Sequence, residues 1–432
     1  MKKIITKKET IDQLPNGEYA AIKNPEGVFP EYEFVPLAKR KNNLKDIRTI
    51  VCDMDGTTTT TENLCIHSLE YMVRKISDRM DLDSWHGLDK EKDYPHIIGN
   101  STTRHVEYLI DTYRFNISDN AIKKAFIEAA AWFFRYGKDP QRVREVQTTC
   151  RILGCQGLIE QIALPDKKIY SYFRNRCKID SKSKIVRASI DIYYQRYHEI
   201  LMAIDKKEVI PMAELIHDMS MENLIEPMPG VAIFISLIKG WLTPSEIQNL
   251  TPLLRDDYFK KTGNEFIAET DISRLAAYFQ KEPAALALVT SSIFYEADIV
   301  IKQVFKAVQK QIAVWPVSDK KRQEIISYFA DYHKVYDAFI TANDSHEIRL
   351  KPHRDLYSIA LNTLHISYDD MDKVIGFEDS ESGTIAIRAA GIPCAVALPF
   401  AETSGHDLSA ASRIVYGGLP EVLLEHSIFM KK

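Results

Sequence analysis

The chain has 432 residues, 45% of them hydrophobic and 27% charged, with a formal net charge of −4. That composition belongs to a folded globular protein with room for two or three domains. The absence of a strong basic block argues against nucleic acid as the main partner, and the longest apolar runs, such as "GVAIFISLI" (230–238), are too short to span a bilayer.

The amino-terminal stretch "MKKIITKKETIDQLPNG" is basic but lacks the apolar core of a signal peptide. Residues 1–47 read as a polar extension with a strand at "EYEFVPL" (31–37). "TIVCD" (49–53) is short, apolar and partly β-branched, as expected of a buried parallel strand. From 62 to 225 the pattern turns helical. "ENLCIHSLEYMVRKI" places Leu64, Leu69, Met72, Val73 and Ile76 near one face. "NAIKKAFIEAAAWFFRYG" offers Asn120 as an N-cap and Gly137 as a stop, and "SIDIYYQRYHEILMAI" is a further aromatic-rich helix. After "EPMPG" the pattern changes again. "GVAIFISLI" reads as a helix, and about 241–283 as an inserted helical piece. Apolar runs then alternate with helices: "ALALVT" (285–290), "AFIT" (338–341), "KVIGF" (373–377), "CAVAL" (394–398) and "RIVY" (413–416). This alternation predicts an α/β fold, a Rossmann-like doubly wound parallel sheet with helices on both faces. The core would comprise 48–61 and 226–432, with 62–225 as a large inserted α-helical domain. Six scattered cysteines, with no CxxC pair, read as reduced thiols in a cytoplasmic protein. Twelve histidines without an HxxxH pair give no support to a histidine metal site.

In sheets of this kind a ligand site lies at the carboxyl ends of the strands, and four polar clusters fall there. "VCDMDGTTTTTE" (51–62) delivers Asp53 and Asp55, followed by Gly56 and five threonines. "ALALVTSS" delivers Thr290, Ser291 and Ser292. "AFITANDSHEIRLKP" delivers Lys351 at the expected start of a helix. "KVIGFEDSESG" delivers Glu378 and Asp379. Each alone has an ordinary reading: an Asp-Gly turn, a helix N-cap, a surface lysine, a solvated turn. Together they make a coherent phosphate site. Carboxylates can hold a hard cation such as Mg²⁺. Hydroxyls, backbone N–H groups and an ammonium can cradle phosphate oxygens, and one carboxylate remains to attack phosphorus.

The pattern resembles the haloacid dehalogenase superfamily. Its DxDG[TV] motif matches "DMDGT", its strand ending in Ser or Thr matches "LALVT", its lysine segment matches "KPHRDLY", and its acidic pair matches "FEDSESGTIAIRAAGI". The resemblance covers about half the chain and looks closest to the branch of sugar-phosphate phosphatases and β-phosphoglucomutase, which carries a helical cap between the first two motifs. It implies Asp53 as nucleophile and Asp55 as general acid and base. Thr290 and Lys351 would grip the phosphoryl group, assisted by Gly56 and Ser291. One Mg²⁺ would be held by Asp53, the Asp55 carbonyl and Asp379, with Glu378 direct or through water. Thr57 would pack or hydrogen-bond beneath the loop, and Thr58 to Thr61 would lead into the cap. "IIGNSTTRHVEYLI" (97–110) resembles the cap loop that reaches the site, with Gly99 as its flexible point and Arg104 and His105 as candidate substrate contacts or simply an exposed first helical turn.

The expected protein is therefore a monomeric, Mg²⁺-dependent phosphohydrolase acting on a small phosphorylated metabolite, with no nucleic-acid or membrane partner. A hexose-phosphate mutase is the alternative from the same branch, and a non-catalytic binding protein on this scaffold the alternative from another class. Two departures from the mutases favour hydrolysis: Cys65 stands where they carry a cap-linker histidine, with His67 pointing elsewhere on its helix, and Thr102 stands where they carry an arginine, with Arg104 two residues further on. The presence of Asp55 disfavours a dehalogenase, and no cap lysine is singled out for phosphonate chemistry. The cap and the 241–283 segment are larger than usual in this branch, which leaves the substrate open.

Overall fold

The structure is a computed structural model that describes residues 14, 16–24, 28–44, 46–81, 83–97, 102–206, 224–268, 271–346, 349–399 and 406–429. Its contacts divide the chain into two units. One is Met1–Thr59 with Pro227–Ala297 and Val304–Lys432; the other is Thr60–Glu226 with Asp298–Gln303.

The first unit opens with an antiparallel hairpin, β1 (Tyr19–Lys23) and β2 (Tyr32–Pro36), in which Tyr19 faces Pro36 and Lys23 faces Tyr32. Only the second of these strands is signalled by alternation in the sequence. The next strand, β3 (Thr49–Asp53), is buried along its whole length. The chain leaves this unit along β4 (Thr59–Thr60) and returns along β5 (Glu226–Pro227), and the two pair as a short ribbon. The remaining strands are β6 (Ala285–Val289), β7 (Ala338–Ile340), β8 (Val374–Glu378), β9 (Cys394–Ala397) and β10 (Arg413–Ile414). Six strands form one parallel sheet in the order β10-β9-β8-β3-β6-β7. All five apolar runs that predicted strands after the helical stretch are in it.

Both faces of the sheet are covered, which explains why its inner strands β3, β6, β8 and β9 are largely apolar rather than alternating. On one face Val51, Val289, Ile340 and Val374 pack with Leu356, Tyr357, Ala360 and Leu361 of the helix Asp355–Thr363 and with Ala386 and Ile387 of the helix Glu381–Ala389. On the other, Phe377 meets the edge of Phe234 from the helix Val231–Ile238 at 5.4 Å between ring centroids. Strand order reverses about β3, which pairs with β8 on one side and β6 on the other. A crevice outside the carboxyl ends is the expected consequence of such a reversal. The 241–283 segment contains the helices Pro244–Thr262 and Ser273–Lys281, the first opened by a capping box of Thr243 and Glu246.

The second unit is helical. Its main helices are Glu62–Ser77, Thr102–Thr112, Asp119–Tyr136, Pro140–Ile152 and Lys182–Lys206. The N-cap of the third is Ser118, which accepts the Ala121 N–H at 3.3 Å, and not Asn120. Ser118 holds the extended φ and ψ that an N-cap needs, whereas Asn120 already lies inside the helix. The five apolar residues expected on one face of Glu62–Ser77 are all buried, but so are His67, Glu70 and Arg74. Polar burial here is compensated by pairing: Arg74 and Glu70 form a buried ion pair at 3.1 Å, with the guanidinium 4.9 Å from the centre of the Trp85 ring.

Asp191 is less well compensated. It is 2% exposed, and its Oδ2 has no hydrogen-bond partner among the described residues. Burial outweighs the pull of the Arg142 charge and the Thr149 hydroxyl and pushes the carboxyl up to about 7. A folded-state value above the unfolded one means that the protonated form is favoured by folding. This contribution is complete below the unfolded value of 3.8 and is lost as pH rises towards 7. Asp191→Asn should therefore gain on the wild type in thermal melts as pH is raised from 5 to 8, by about 2–3 kcal/mol. Melting curves that keep the same separation at both pH values would remove this account.

Candidate active site

β3 ends at Asp53, and the chain turns sharply through Gly56, whose φ of 79° lies in the left-handed region that glycine tolerates best. The threonines hold this turn. The Thr58 and Thr59 N–H groups both donate to the Met54 carbonyl, at 3.0 and 2.8 Å, and the Gly56 N–H donates to the Thr59 carbonyl at 2.8 Å. The Thr58 hydroxyl donates to the Asp53 and Met54 carbonyls, each at 3.1 Å. The Thr59 hydroxyl reaches the Met54 carbonyl at 3.1 Å and Asp55 Oδ1 at 3.4 Å. Thr58 and Thr59 are thus part of the loop that presents the two aspartates, and more than an exit from it. Thr57 is buried beneath the loop, and its Oγ1 has no partner among the described residues.

Four of the anticipated residues meet at the carboxyl ends of β3 and β8. Lys351 Nζ donates to Asp53 Oδ1, to Glu378 Oε1 at 2.8 Å and to the Val289 carbonyl at 3.3 Å. Asp53, Glu378 and Asp379 each place a carboxylate oxygen within 4.8 Å of the others, and all three are buried. Burial, reinforced by Glu378 and Asp55, raises the Asp53 carboxyl well above the usual carboxylate range against the pull of Lys351. Burial works against the Lys351 ammonium too, but Asp53 and Glu378 prevail and hold its pKa above the usual lysine value. For Glu378, burial is overcome by Lys351 and the Ser380 hydrogen bonds, which keep its carboxyl low.

Both Glu378 oxygens are engaged. Oε1 accepts from Lys351 and from the Tyr357 hydroxyl at 3.3 Å; Oε2 accepts the N–H groups of Asp379 and Ser380, each at 2.9 Å, and the Ser380 hydroxyl at 2.8 Å. The helix Glu381–Ala389 comes so close that a Cβ on Gly383 would lie 1.7 Å from Glu378 Oε1. Glycine is therefore required there to let the backbone approach the carboxylate.

At the end of β6 the Thr290 side chain accepts the Ser292 N–H at 3.0 Å, and its own N–H is held by the Ile340 carbonyl at 2.9 Å. Ser291 is exposed, whereas the Ser292 hydroxyl donates to Asp55 Oδ2 at 3.2 Å. Ser292, placed in the strand-end cluster by its sequence position, and Tyr357, the last residue of "KPHRDLY", are therefore site residues to which the sequence assigned no role. Alternation along "VTSS" could have separated the inward Ser292 from Ser291. Lys351 does not start a helix: the helix begins at Asp355, and the lysine sits in the turn before it. Arg104 and His105 lie on the helix Thr102–Thr112 of the second unit, Arg104 exposed and His105 buried. Gly99 falls outside the described residues. His67 is buried, accepts from Arg196 Nε at 3.2 Å, and has its pKa brought down to about 3 by burial and the arginine charge. Cys65 Sγ accepts from the Tyr193 hydroxyl at 3.5 Å.

The parallel sheet, the reversal at β3 and the four strand-end clusters form a Rossmann-like α/β core interrupted by a large helical insertion. No protein-family model matches the chain, and no curated relative matches its sequence. Among solved structures it is similar to CbbY from Rhodobacter sphaeroides in complex with phosphate, at 14% identity over 88% of this chain and 99% of that one, with a TM-score of 0.37. It is also similar to HAD hydrolase, family IA, variant 3 from Entamoeba histolytica, at 12% identity over 88% and 98%, with a TM-score of 0.36. A third is β-phosphoglucomutase from Clostridium difficile, at 12% identity over 88% and 95%, with a TM-score of 0.34. Values this low carry no argument about chemistry, which rests on the residues themselves.

Proposed function

We propose that the protein is a phosphohydrolase that removes the phosphoryl group of a small phosphorylated metabolite through Asp53. The observation that carries this reading is the convergence of Asp53, Glu378 and Asp379 with Lys351 at one end of the sheet. A purely structural site would gain nothing from three buried carboxylates and one ammonium, since uncompensated buried charge is strongly unfavourable.

The donor set fits a hard divalent cation such as Mg²⁺: buried carboxylate oxygens in excess of the one positive charge they surround, with no nitrogen or sulfur ligand among them. Asp53 and Asp379 would hold it. Glu378, with both oxygens engaged, would serve by keeping Lys351 and the Asp379 backbone in place. When bound, the ion would neutralise charge on the phosphoryl oxygens. Asp53 would attack phosphorus and form an aspartyl-phosphate while Asp55 passes a proton to the leaving oxygen. Asp55 would then take a proton from the water that cleaves the intermediate. Ser292, bonded to Asp55, would fix the direction of that carboxyl. Lys351 would hold negative charge on both Asp53 and the incoming phosphate.

The test is release of inorganic phosphate from a panel of phosphorylated sugars, nucleotides and acids with Mg²⁺, followed by chelation. EDTA should stop turnover, and added Mg²⁺ should restore it. Full activity in metal-free protein would refute the metal role. Hexose 1-phosphates with a bisphosphate primer separate the mutase alternative: rapid formation of the 6-phosphate with little phosphate release would replace hydrolysis by isomerisation. The buried, arginine-bound His67 gives no support to a mutase, because a histidine with so low a pKa is a poor proton donor at neutral pH.

A further inference from the structure

We propose that the β1–β2 hairpin is a positioning element for Lys351, with Glu33 acting through Arg349 to fix the segment that holds the lysine against Asp53. The inference rests on the role given to Lys351 above. Lysine reaches its partners on a flexible four-carbon stem, and here it stands in a turn outside any helix or strand. The orientation of that turn must come from its neighbours.

Arg349 supplies it. Its Nε and Nη2 donate to the two oxygens of Asp355, at 3.1 and 3.0 Å, which closes the segment 349–355 around Lys351. Its Nη1 donates to both oxygens of Glu33 on β2, at 3.0 and 2.9 Å. Glu33 is in turn held by Asn24 Nδ2 at 3.0 Å, and Asn24 is 5% exposed and also bonded to the Pro30 carbonyl at 2.8 Å. The planar guanidinium thus ties the hairpin to both ends of the lysine segment in fork geometry, which constrains direction as well as distance. Asp355 opens the helix that carries Tyr357, whose hydroxyl shares Glu378 Oε1 with Lys351. The clamp therefore reaches the lysine along two routes.

Glu33, Arg349 and Asp355 side chains are about 30% exposed, and ion pairs at that exposure add little to stability. An arrangement this complete with so small a stabilising return points to geometry. A misplacement of about 1 Å can lower turnover by up to about 100-fold.

The experiment compares Glu33→Ala with Arg40→Ala, using p-nitrophenyl phosphate and Mg²⁺. Arg40 pairs with Glu18, the hairpin residue that also binds Arg388, so its removal loosens the hairpin at a different anchor. Glu33→Ala should lower kcat about tenfold or more, with KM within about twofold and an unchanged melting temperature. Arg40→Ala should keep wild-type kcat. Combining Glu33→Ala with Arg349→Gln should cost no more than Arg349→Gln alone, because both break one chain of contacts. Hydrogen exchange of a peptide spanning 349–357 should quicken in Glu33→Ala and not in Arg40→Ala. Wild-type kcat in Glu33→Ala, or an equal loss in Arg40→Ala, overturns the proposal. If the wild type hydrolyses no phosphomonoester, the phosphatase reading fails and the exchange experiment alone decides. Unchanged exchange in Glu33→Ala then overturns the clamp as well.

Discussion

Asp53→Asn should leave a folded protein with no measurable turnover, a loss of at least about 10⁴-fold on the scale set by removing a catalytic nucleophile. The amide has no anionic oxygen to offer phosphorus, yet it keeps the size of the carboxylate and can still accept from Lys351 Nζ, so the packing at the end of β3 is preserved. The substitution also takes one negative charge from the crowd of Asp53, Glu378 and Asp379. In metal-free buffer the variant should melt no lower than the wild type, because the cost of burying the Asp53 charge, and the lesser repulsion from Glu378 and Asp55, are relieved. Phosphate release at the wild-type rate would sink the mechanism, whatever the melting data show.

Lys351→Ala should have the second largest effect, and it should differ in kind. The ammonium is the one cation bonded to both Asp53 and Glu378 among the described residues. Without it two buried carboxylates face each other, and breaking a buried pair in this way costs about 3–5 kcal/mol of stability. Turnover should fall about 10²- to 10³-fold, as when a preorganised donor is removed from a developing anion. Added Mg²⁺ should recover part of the melting temperature and little of the rate, because a second cation can restore charge balance but not a donor at that position. A defect confined to KM would contradict the charge-holding role.

How much of this was legible in the sequence depends on range. The strands and their carboxyl-end clusters could be placed because a strand buried on both faces leaves an uninterrupted apolar run, and a polar residue at its end has few other places to go. Asp53, Lys351, Glu378 and Asp379 are brought together as their strand-end positions implied. The roles of Ser292 and Tyr357, and the Glu33–Arg349–Asp355 clamp, were not legible. Two of these contacts reach far along the chain: Ser292 bonds Asp55 across 237 positions and Arg349 bonds Glu33 across 316. No local pattern marks a side chain whose role is set by a distant neighbour. The N-cap at Ser118 was missed for a smaller reason, since Ser118, Asp119 and Asn120 are all good caps and only backbone torsion distinguishes them.

The position of β3 in the sheet has a consequence for synthesis. It is flanked by β6 and β8, which lie roughly 240 and 330 residues further along the chain. At ribosomal speeds of about 5–20 residues per second, "TIVCD" would emerge about 10–50 s before its first partner exists. Throughout that interval a short apolar strand has both edges open, while the helical stretch that follows it can already fold on local contacts. Slow translation or scarce holdase capacity should therefore lower the yield of soluble protein before it affects the finished molecule, and the aggregates should contain nascent chains truncated ahead of Ala285.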